Sequence, residues 1–488
     1  MARKIAVSIV IVAVTLCVLL FKSGPQSSVA RQSPQSATPS KLQKFFSSHV
    51  EREANGNCVL LISIDTLRPD HLGMYGYSRN TSPNMNAFAE NGTVFTRAYS
   101  TAPLTTPSVV SMLTGFTPNR HGVRLLWQPI DSGTITVADH LHRAGYDTAA
   151  VVSNIVLGNE ASLIGERFAF YDESVDEPEA NRPDMLERNA ARTTDAAIQW
   201  LQNRRDAKRP FFLWVHYIDP HGPYDAPSDA PVDFSHEQPV PVEVERIAEY
   251  VRDGEMADGA EYVDRYDEEI AYTDREVGRL LAAFDAINLS QPPLTIITSD
   301  HGENMMEGHT YFSHGYDVND AVIHIPLIVR HPSIKPGMND RVSSIVDIMP
   351  TILDFVGLAV PPKLDGLAIG QTNSVRSVYA EGLDSGGSGG LHRTLITDNT
   401  KTVVQHGRSN EPRDRWQFDL KIDPNAQKRL PVAESSDAFE RLSQLIRSDP
   451  DPGGRPTHLA NDKHSHGPVA GNADAKSMRA LRSLGYVE

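Results

Sequence analysis

The hydrophobic positions of this chain fall into short uninterrupted segments, and four of these segments end at polar residues that can bind a cation or donate to an oxyanion. Segments of this length, rich in Val, Ile and Leu and separated by amphipathic stretches of helical length, are typical of parallel strands buried on both faces. The segments and their polar residues are Val59–Ile64 with Asp65, Thr148–Val152 with Ser153 and Asn154, Phe211–Val215 with His216, Asp219 and His221, and Leu294–Thr298 with Asp300 and His301.

We expect the polar residues at these four strand ends to meet in one cleft, because the ligand site of an open α/β sheet lies beyond the carboxyl ends of its strands. Asp and Asn are also ordinary turn residues, so a single strand end of this kind indicates only a turn. Three His and three Asp distributed over the strand ends favour a metal-dependent enzyme.

A second candidate feature is the start of a predicted helix. Pro107 suits the first turn, and Thr105 or Thr106 is expected at the N-cap or just before it. A hydroxyl at this position lies where the helix dipole favours negative charge, and a cation bound nearby by Asp65 and Asp300 would make it a nucleophile. Simple capping is the plainer interpretation, and the two are compatible.

Composition limits the partners of the protein. The chain of 488 residues has 46 Lys plus Arg against 62 Asp plus Glu, a net charge of −16 that argues against nucleic acid as a partner. A hydrophobic content of 40% excludes a disordered or fibrous protein. Cys58 is the one cysteine outside the N-terminal apolar segment, so no intramolecular disulfide is expected in an exported chain.

The N-terminus predicts export. Ile5–Phe21 is apolar and follows Arg3 and Lys4, which is the arrangement of a signal peptide or signal anchor within residues 1–24. We interpret it as an uncleaved membrane anchor, with residues 25–50 as a flexible linker. The enzyme would then face the periplasm or the exterior, and cleavage would make it a secreted protein.

Several motifs follow one another in a fixed order along the chain. They are Asp65, Thr105–Gly115, Asn119–Val123, Tyr217–Tyr224, Ser299–Glu303, Pro326–Val329, Val346–Thr351 and Leu481–Tyr486. As a set they resemble the sulfatase family of the alkaline phosphatase superfamily, from about residue 58 to the C-terminus. The resemblance implies a three-layer α/β sandwich with a mostly parallel central sheet at 51–370. A smaller C-terminal α+β subdomain would follow at 371–488, with a surface loop at 449–476.

The resemblance also implies a divalent metal ion (Ca, Mg, Mn or Zn) in the site. Its implied ligands are Asp65, Thr105, Asp300 and His301. Thr105 would be the metal-bound nucleophile, and Asn154 would donate to a non-bridging oxygen of the substrate. His221 would contact the substrate anion or its leaving group, and His314 would be a general acid or an alternative ligand. One ion is expected, and a second one would use Asp219, His221 and His314.

Two departures from the family pattern change the expected chemistry. Thr105 stands where sulfatases have the Cys or Ser that becomes formylglycine, and Val109 stands where they have Arg. Because Thr cannot form that aldehyde, the usual sulfatase mechanism is closed. The family's Gly-Lys-x-His element is also absent, since Gly145–Thr148 leads to Val152–Asn154. The remaining pattern is similar to Thr-using phosphodiesterases and headgroup transferases of the superfamily.

These motifs predict a hydrolase of phosphate esters, and less readily of sulfate esters. The expected substrate is a small-molecule, glycan or lipid-linked anionic ester. Two alternatives remain: a phosphoethanolamine or phosphoglycerol transferase that moves a headgroup between lipid and glycan, and a catalytically inactive binding homologue. We also predict an Arg68–Asp70 ion pair, supporting or surface positions for Glu303 and Glu307, and an amphipathic helix at Glu261–Ile287.

Overall fold

The computed structural model describes residues 56–175, 177–178, 186–204, 206, 208–369, 376–384, 390–407, 412–432 and 436–449. They all belong to one compact unit, Leu42–Glu488. The predicted anchor at 1–24, the linker at 25–50 and the C-terminal loop beyond Asp449 lie outside the described residues. None of the helices in the described ranges has both the length and the apolar character needed to cross a bilayer.

The elements alternate between strands and helices along the chain. The strands are β1 Val59–Ile64, β2 Thr93–Phe95, β3 Ala98–Tyr99, β4 Asp147–Val152, β5 Phe170–Asp172, β6 Glu177–Pro178, β7 Leu186–Glu187, β8 Phe211–Tyr217, β9 Leu294–Ser299, β10 His324–Ile325, β11 Leu327–Arg330, β12 Gly337–Asn339, β13 Ser343–Ser344, β14 Val378–Leu383, β15 Leu391–Ile396, β16 Thr400–His406, β17 Pro412–Asp419 and β18 Leu430–Pro431. The helices are α1 Pro83–Glu90, α2 Thr105–Thr114, α3 Pro118–His121, α4 Val137–Arg143, α5 Asn159–Ser162, α6 Ala190–Asn203, α7 Gly259–Asp285, α8 Asp320–Ile323, α9 Ile348–Phe355 and α10 Asp437–Arg447. Short 3-10 turns lie at Pro69–His71, Gly73–Tyr75, Ile155–Leu157, Gly165–Arg167, Val244–Arg246 and Ile345–Asp347.

The four predicted strands form the centre of an eight-stranded sheet with the order β12-β2-β11-β9-β1-β8-β4-β5. Strands β9, β1, β8 and β4 are parallel neighbours. Ile64 of β1 pairs with Ser299 of β9 and Tyr217 of β8, so these strands end level with one another. The prediction of parallel strands whose polar ends meet at one edge of the sheet is therefore confirmed.

Helices cover both faces of this sheet. On one face α2, α4 and α9 pack through Leu113, Leu141 and Ile352. On the other face α1, α6 and α7 pack through Met85, Leu201 and Leu280. The predicted three-layer sandwich is confirmed. Helix α7 begins two residues before the predicted start and buries the whole expected apolar stripe: Tyr262, Tyr266, Ile270, Val277, Leu280, Leu281 and Phe284.

A second, antiparallel sheet of five strands, β14 to β18, forms the predicted smaller subdomain, and α10 packs on it through Leu442 and Ile446. This sheet contacts the loop that follows β9. The N–H of Asp317 donates to the carbonyl of Leu383 at 2.7 Å. A Cβ at Gly382 would lie 2.0 Å from the carbonyl oxygen of Asp317, so only glycine allows this approach. The boundary predicted between 370 and 371 remains a prediction.

Candidate active site

Two carboxylates and an imidazole face one another at the carboxyl edge of the central sheet. Asp65 follows β1, Asp300 and His301 follow β9, and all three side chains are fully buried. His301 Nε2 lies 3.6 Å from Asp65 Oδ1 and 3.6 Å from Asp300 Oδ2. Among the described residues, neither of these two carboxylate oxygens has a hydrogen-bond partner. Buried acceptors without donors are costly unless a cation compensates them.

The ionisation of these groups fits a divalent cation. Burial and the charge of Asp65 raise the pKa of the Asp300 carboxyl well above its ordinary value. Burial lowers the pKa of His301 to about 3, so its imidazole is neutral at pH 7. Its Nδ1 lies 2.9 Å from the carbonyl of Gly302 and must donate, which leaves a lone pair on Nε2. Two carboxylate oxygens and one imidazole nitrogen are suitable ligands for such an ion.

Helix α2 brings Thr105 to this group. The Thr105 side chain is fully buried, and its Oγ1 lies 3.2 Å from His301 Nε2 and 3.5 Å from Asp65 Oδ2. Thr105 is the first helical residue, so its N–H has no acceptor within the helix and the dipole favours negative charge there. The predicted cap is wrong by one residue, because the N-cap is Leu104 and no side chain caps the helix.

Three imidazoles stand side by side beyond Thr105. The ring centroid of His314 lies 4.6 Å from that of His301 and 4.8 Å from that of His221. Burial lowers the pKa of His314 to about 4, and burial together with His314 lowers the pKa of His221. His221 Nδ1 donates to the carbonyl of Gly222 at 2.7 Å. The structure thus places the predicted His221 and His314 beside His301, as their expected roles require.

Asn154 is also at the site, but its amide serves Asp65. Its Nδ2 donates to Asp65 Oδ2 at 2.7 Å, and its Oδ1 accepts from the N–H of Val156 at 3.1 Å. One of its two amide hydrogens is therefore occupied, and only the other could meet a substrate oxygen. The contact explains why an amide ends β4 at this position.

Asp219 does not join the two histidines in a second cation site. Its Oδ2 accepts from the N–H of Ala190, the first residue of α6, at 2.6 Å. In the part of the chain that the structure describes, Asp219, His221 and His314 do not form a group of closely spaced ligand atoms. A single cation remains the expectation, since the carboxylate of Asp219 follows the strand but satisfies a helix start, a common use of a carboxylate.

Three other acidic residues near the site were expected to have supporting or surface positions, and they either form ion pairs with Arg68 or lie buried beside a histidine. Arg68 and Asp70 form the predicted ion pair at 2.7 Å. Glu307 is 41% exposed and pairs with Arg68 at 2.8 Å. Glu303 is buried, and its Oε1 lies 3.2 Å from His314 Nδ1, where it orients that imidazole. Burial raises the pKa of Glu303 to about 8.

His216 is the site residue to which the sequence assigned no role. It lies on β8, is fully buried, and its Nε2 is 3.4 Å from Asp65 Oδ2. Ser63, one residue before the end of β1, is 2.9 Å from the other ring nitrogen of His216. The signal was present, since a polar residue inside one apolar strand and an imidazole inside its neighbour need a partner when buried.

Comparison with known proteins agrees with this architecture. The model of the Sulfatase family matches residues 57–358, which is more than half of the chain. The chain belongs to the sulfatase family, so by class it is a hydrolase of ester bonds.

Individual relatives are distant. The chain is 28% identical to an endo-4-O-sulfatase of Bacteroides thetaiotaomicron over 330 residues, covering 58% of this chain and 64% of that protein. It is 25% identical to an arylsulfatase of Clostridium perfringens over 454 residues, covering 79% and 92% of the two chains. The solved structure of a phosphonate monoester hydrolase from Silicibacter pomeroyi has a TM-score of 0.64 and 21% identity, covering 83% and 97%. This structural likeness shows the fold.

Proposed function

We propose that this protein hydrolyses an anionic phosphate or phosphonate ester, and less readily a sulfate ester, with Thr105 as the nucleophile and a divalent cation in the site. The observation that carries the proposal is the position of Thr105 Oγ1, 3.2 Å from His301 Nε2 and 3.5 Å from Asp65 Oδ2. A buried hydroxyl beside a pair of facing carboxylates has no evident structural purpose here, since it does not cap its helix.

Asp65 Oδ1, Asp300 Oδ2 and His301 Nε2 would hold the cation. A divalent ion there supplies positive charge that lowers the pKa of a neighbouring hydroxyl. Asp65 divides its two oxygens between two tasks, because Oδ1 faces His301 and Oδ2 faces the Thr105 hydroxyl and the amide of Asn154. The Nε2 lone pair of His301 is the nearer acceptor for the Thr105 hydroxyl, at 3.2 Å, and with Nε2 used by the cation, Asp65 Oδ2, at 3.5 Å, would be the acceptor left for the Thr105 proton.

The reaction proceeds by displacement at phosphorus. The Thr105 oxygen forms a bond to phosphorus while the bond to the leaving oxygen breaks. The N–H groups of the first turn of α2, which have no acceptor within the helix, would stabilise the developing negative charge. Water then attacks the phosphothreonine and releases the product. A Thr nucleophile supports a phosphoryl intermediate, whereas the formylglycine route of other sulfatases is closed to it.

His314 supplies a proton to the leaving oxygen. The free imidazole is neutral at pH 7 because burial lowers its pKa to about 4, and a bound anionic ester raises that pKa because negative charge stabilises the imidazolium. Glu303 holds Nδ1, so Nε2 is the atom that can face the substrate. His221, whose Nδ1 donates to the carbonyl of Gly222, would contact the anion through Nε2 as an imidazolium, the form that a bound anion favours.

A substrate panel tests the proposal. We expect the purified full-length protein, stripped of metal and reloaded with Mn²⁺ or Zn²⁺, to hydrolyse bis(4-nitrophenyl) phosphate or 4-nitrophenyl phenylphosphonate faster than 4-nitrophenyl sulfate. Rapid quenching followed by peptide mass spectrometry should find a phosphoryl group on Thr105. Dominant sulfate turnover without this adduct would refute the proposal. A phosphothreonine formed from a lipid donor and stable in water would instead identify a transferase.

The role of His314 predicts a dependence on the leaving group. His314→Gln should slow the hydrolysis of an alkyl ester about 10²-fold or more but that of a 4-nitrophenyl ester less than about 10-fold, since a good leaving group needs no proton. The measurement is kcat/KM for matched ester pairs. His309→Gln, an exposed histidine of the same loop, is the control. Equal losses on both esters would assign His314 to binding alone.

A further inference from the structure

A chain of buried polar groups leads from the core of the sheet to Asp65. Trp214 Nε1 donates to Ser63 Oγ at 2.9 Å, Ser63 Oγ lies 2.9 Å from His216 Nδ1, and His216 Nε2 lies 3.4 Å from Asp65 Oδ2. All four side chains are fully buried. Ser63 and His216 are direct partners in the pairing of β1 with β8, so strand register fixes their contact.

The direction of this chain follows from its first member. An indole N–H can only donate, so Ser63 Oγ accepts from Trp214. Among the described residues His216 Nδ1 is the one other partner of Ser63 Oγ, so the buried hydroxyl hydrogen has an acceptor only if it is donated to His216 Nδ1. A neutral imidazole that accepts through Nδ1 carries its hydrogen on Nε2. The hydrogen on Nε2 faces the Asp65 carboxylate, whose Oδ2 lies 3.4 Å from Nε2 without a formed hydrogen bond among the described residues. Nε2 then has no lone pair for a cation.

The opposite arrangement holds for His301. Its Nδ1 donates to the carbonyl of Gly302, so its Nε2 presents a lone pair to Asp65 Oδ1 and Asp300 Oδ2. The two histidines therefore face different oxygens of the same carboxylate in opposite tautomers. Asp65 Oδ2 also accepts from Asn154 at 2.7 Å, whereas Oδ1 has no hydrogen-bond partner among the described residues.

We propose that Trp214 and Ser63 fix the tautomer of His216 so that its Nε2 hydrogen faces Asp65, which makes His216 a residue that positions the carboxylate and not a cation ligand. This inference rests on the cation site of the proposed function. The inference determines which residues bind the cation. Ligand atoms of Asp65, His216 and Asp300 lie within 4.8 Å of one another, so these three residues could otherwise be taken as the ligand set. With His216 excluded, the site is rich in oxygen and has a single imidazole.

Metal affinity separates the two assignments. We expect His216→Gln to keep Mn²⁺ and Zn²⁺ affinity within about 5-fold, because the Gln amide can still donate to Asp65. Ser63→Ala should raise the affinity for Zn²⁺ relative to Mn²⁺ by about 10-fold, because His216 is then free to turn its lone pair to the cation and nitrogen ligands suit Zn²⁺. Affinities are measured by chelator competition on the metal-free full-length protein.

Ser153→Ala is the matched control. Ser153 is a buried serine whose Oγ bonds only to backbone groups: it donates to the His216 carbonyl at 2.8 Å and accepts from the N–H of Ile218 at 2.8 Å. It does not contact the His216 ring nitrogens through these bonds, so Ser153→Ala should not change metal preference. A loss of more than about 100-fold in His216→Gln for both metals would overturn the proposal, since it exceeds the loss that follows from removing a residue that only supports a ligand. An unchanged metal preference in Ser63→Ala would also count against it.

The tautomer itself can be read without metal. In ¹⁵N-histidine NMR spectra of the metal-free protein, the His216 signal is identified as the one that changes in Ser63→Ala and is lost in His216→Gln. This signal should show a protonated Nε2 and an unprotonated Nδ1. The reverse tautomer would overturn the inference. Where His216→Gln fails to fold, the His216 signal is assigned by its change in Ser63→Ala alone. If the wild-type protein bound neither metal, the cation site of the proposed function would fail while the NMR result still tested the hydrogen-bond chain.

Discussion

Thr105→Ala should lower kcat/KM for bis(4-nitrophenyl) phosphate by about 10³-fold or more, because the variant lacks the attacking oxygen. Thr105→Ser keeps a hydroxyl on the same helix start and should retain measurable turnover. Full-length wild-type and variant proteins with equal metal content are compared in the same buffer. The loss should appear in kcat, since Thr105 bonds to phosphorus only as the reaction proceeds.

The control is the next residue in the chain. Thr106 is equally buried, but its Oγ1 lies 3.4 Å from the carbonyl of Val156 and contacts neither carboxylate of the site. Thr106→Ala should therefore change kcat/KM by less than about 3-fold, within the range of an ordinary packing change. Equal losses in the two variants would indicate that Thr105 supports the helix and is not the nucleophile.

Asp300→Asn should have opposite effects on the metal-free and the metal-loaded protein. Loss of a charged ligand is expected to weaken Mn²⁺ or Zn²⁺ binding by about 100-fold or more and to remove most of the activity. In the metal-free protein the same change removes the repulsion between two buried carboxylates, so the Tm should rise by about 2 °C. Thermal unfolding with and without metal measures both effects, and Asp354→Asn, at an exposed position, is the control.

The sign of the pH dependence follows from the pKa of Asp300. Burial and the neighbouring Asp65 raise this pKa in the folded protein above its unfolded value, so the folded state binds the proton more tightly. The contribution of Asp300 to the free energy of unfolding of the metal-free wild type should therefore be greatest below about pH 4. This contribution should be lost as the pH rises through the raised pKa. Asp300→Asn should lack this component. An identical pH profile in wild type and variant would show that the two carboxylates do not interact.

The strand ends were predictable because each depends on a local pattern. A buried parallel strand requires a run of apolar residues, and the first polar residue after it must lie at the edge of the sheet. The amino-acid sequence alone was therefore enough to place Asp65, Asn154 and Asp300 in one cleft. To place Thr105 in the same cleft, a helix start and the family motif also had to be recognised. The contact of Thr105 with Asp65 agrees with that placement.

What the sequence could not give is which atoms face each other. It does not show that Asp65 presents one oxygen to His301 and the other to Asn154, because this depends on side-chain torsions and strand register. The same limit applies to Asp219, whose carboxylate turns to the start of α6, and to His216, whose contact with Ser63 exists only when β1 and β8 are paired.

The loop that carries His314 is held by the second sheet, through the bond from Asp317 to Leu383 and the close approach at Gly382. The side of the cleft that carries His314 is thus shaped by a part of the chain that is distant in sequence and outside the main sandwich. Chimeras that exchange C-terminal halves between relatives must therefore inherit the glycine and its partner loop from the same parent, or the transplanted layer will displace the imidazole of His314.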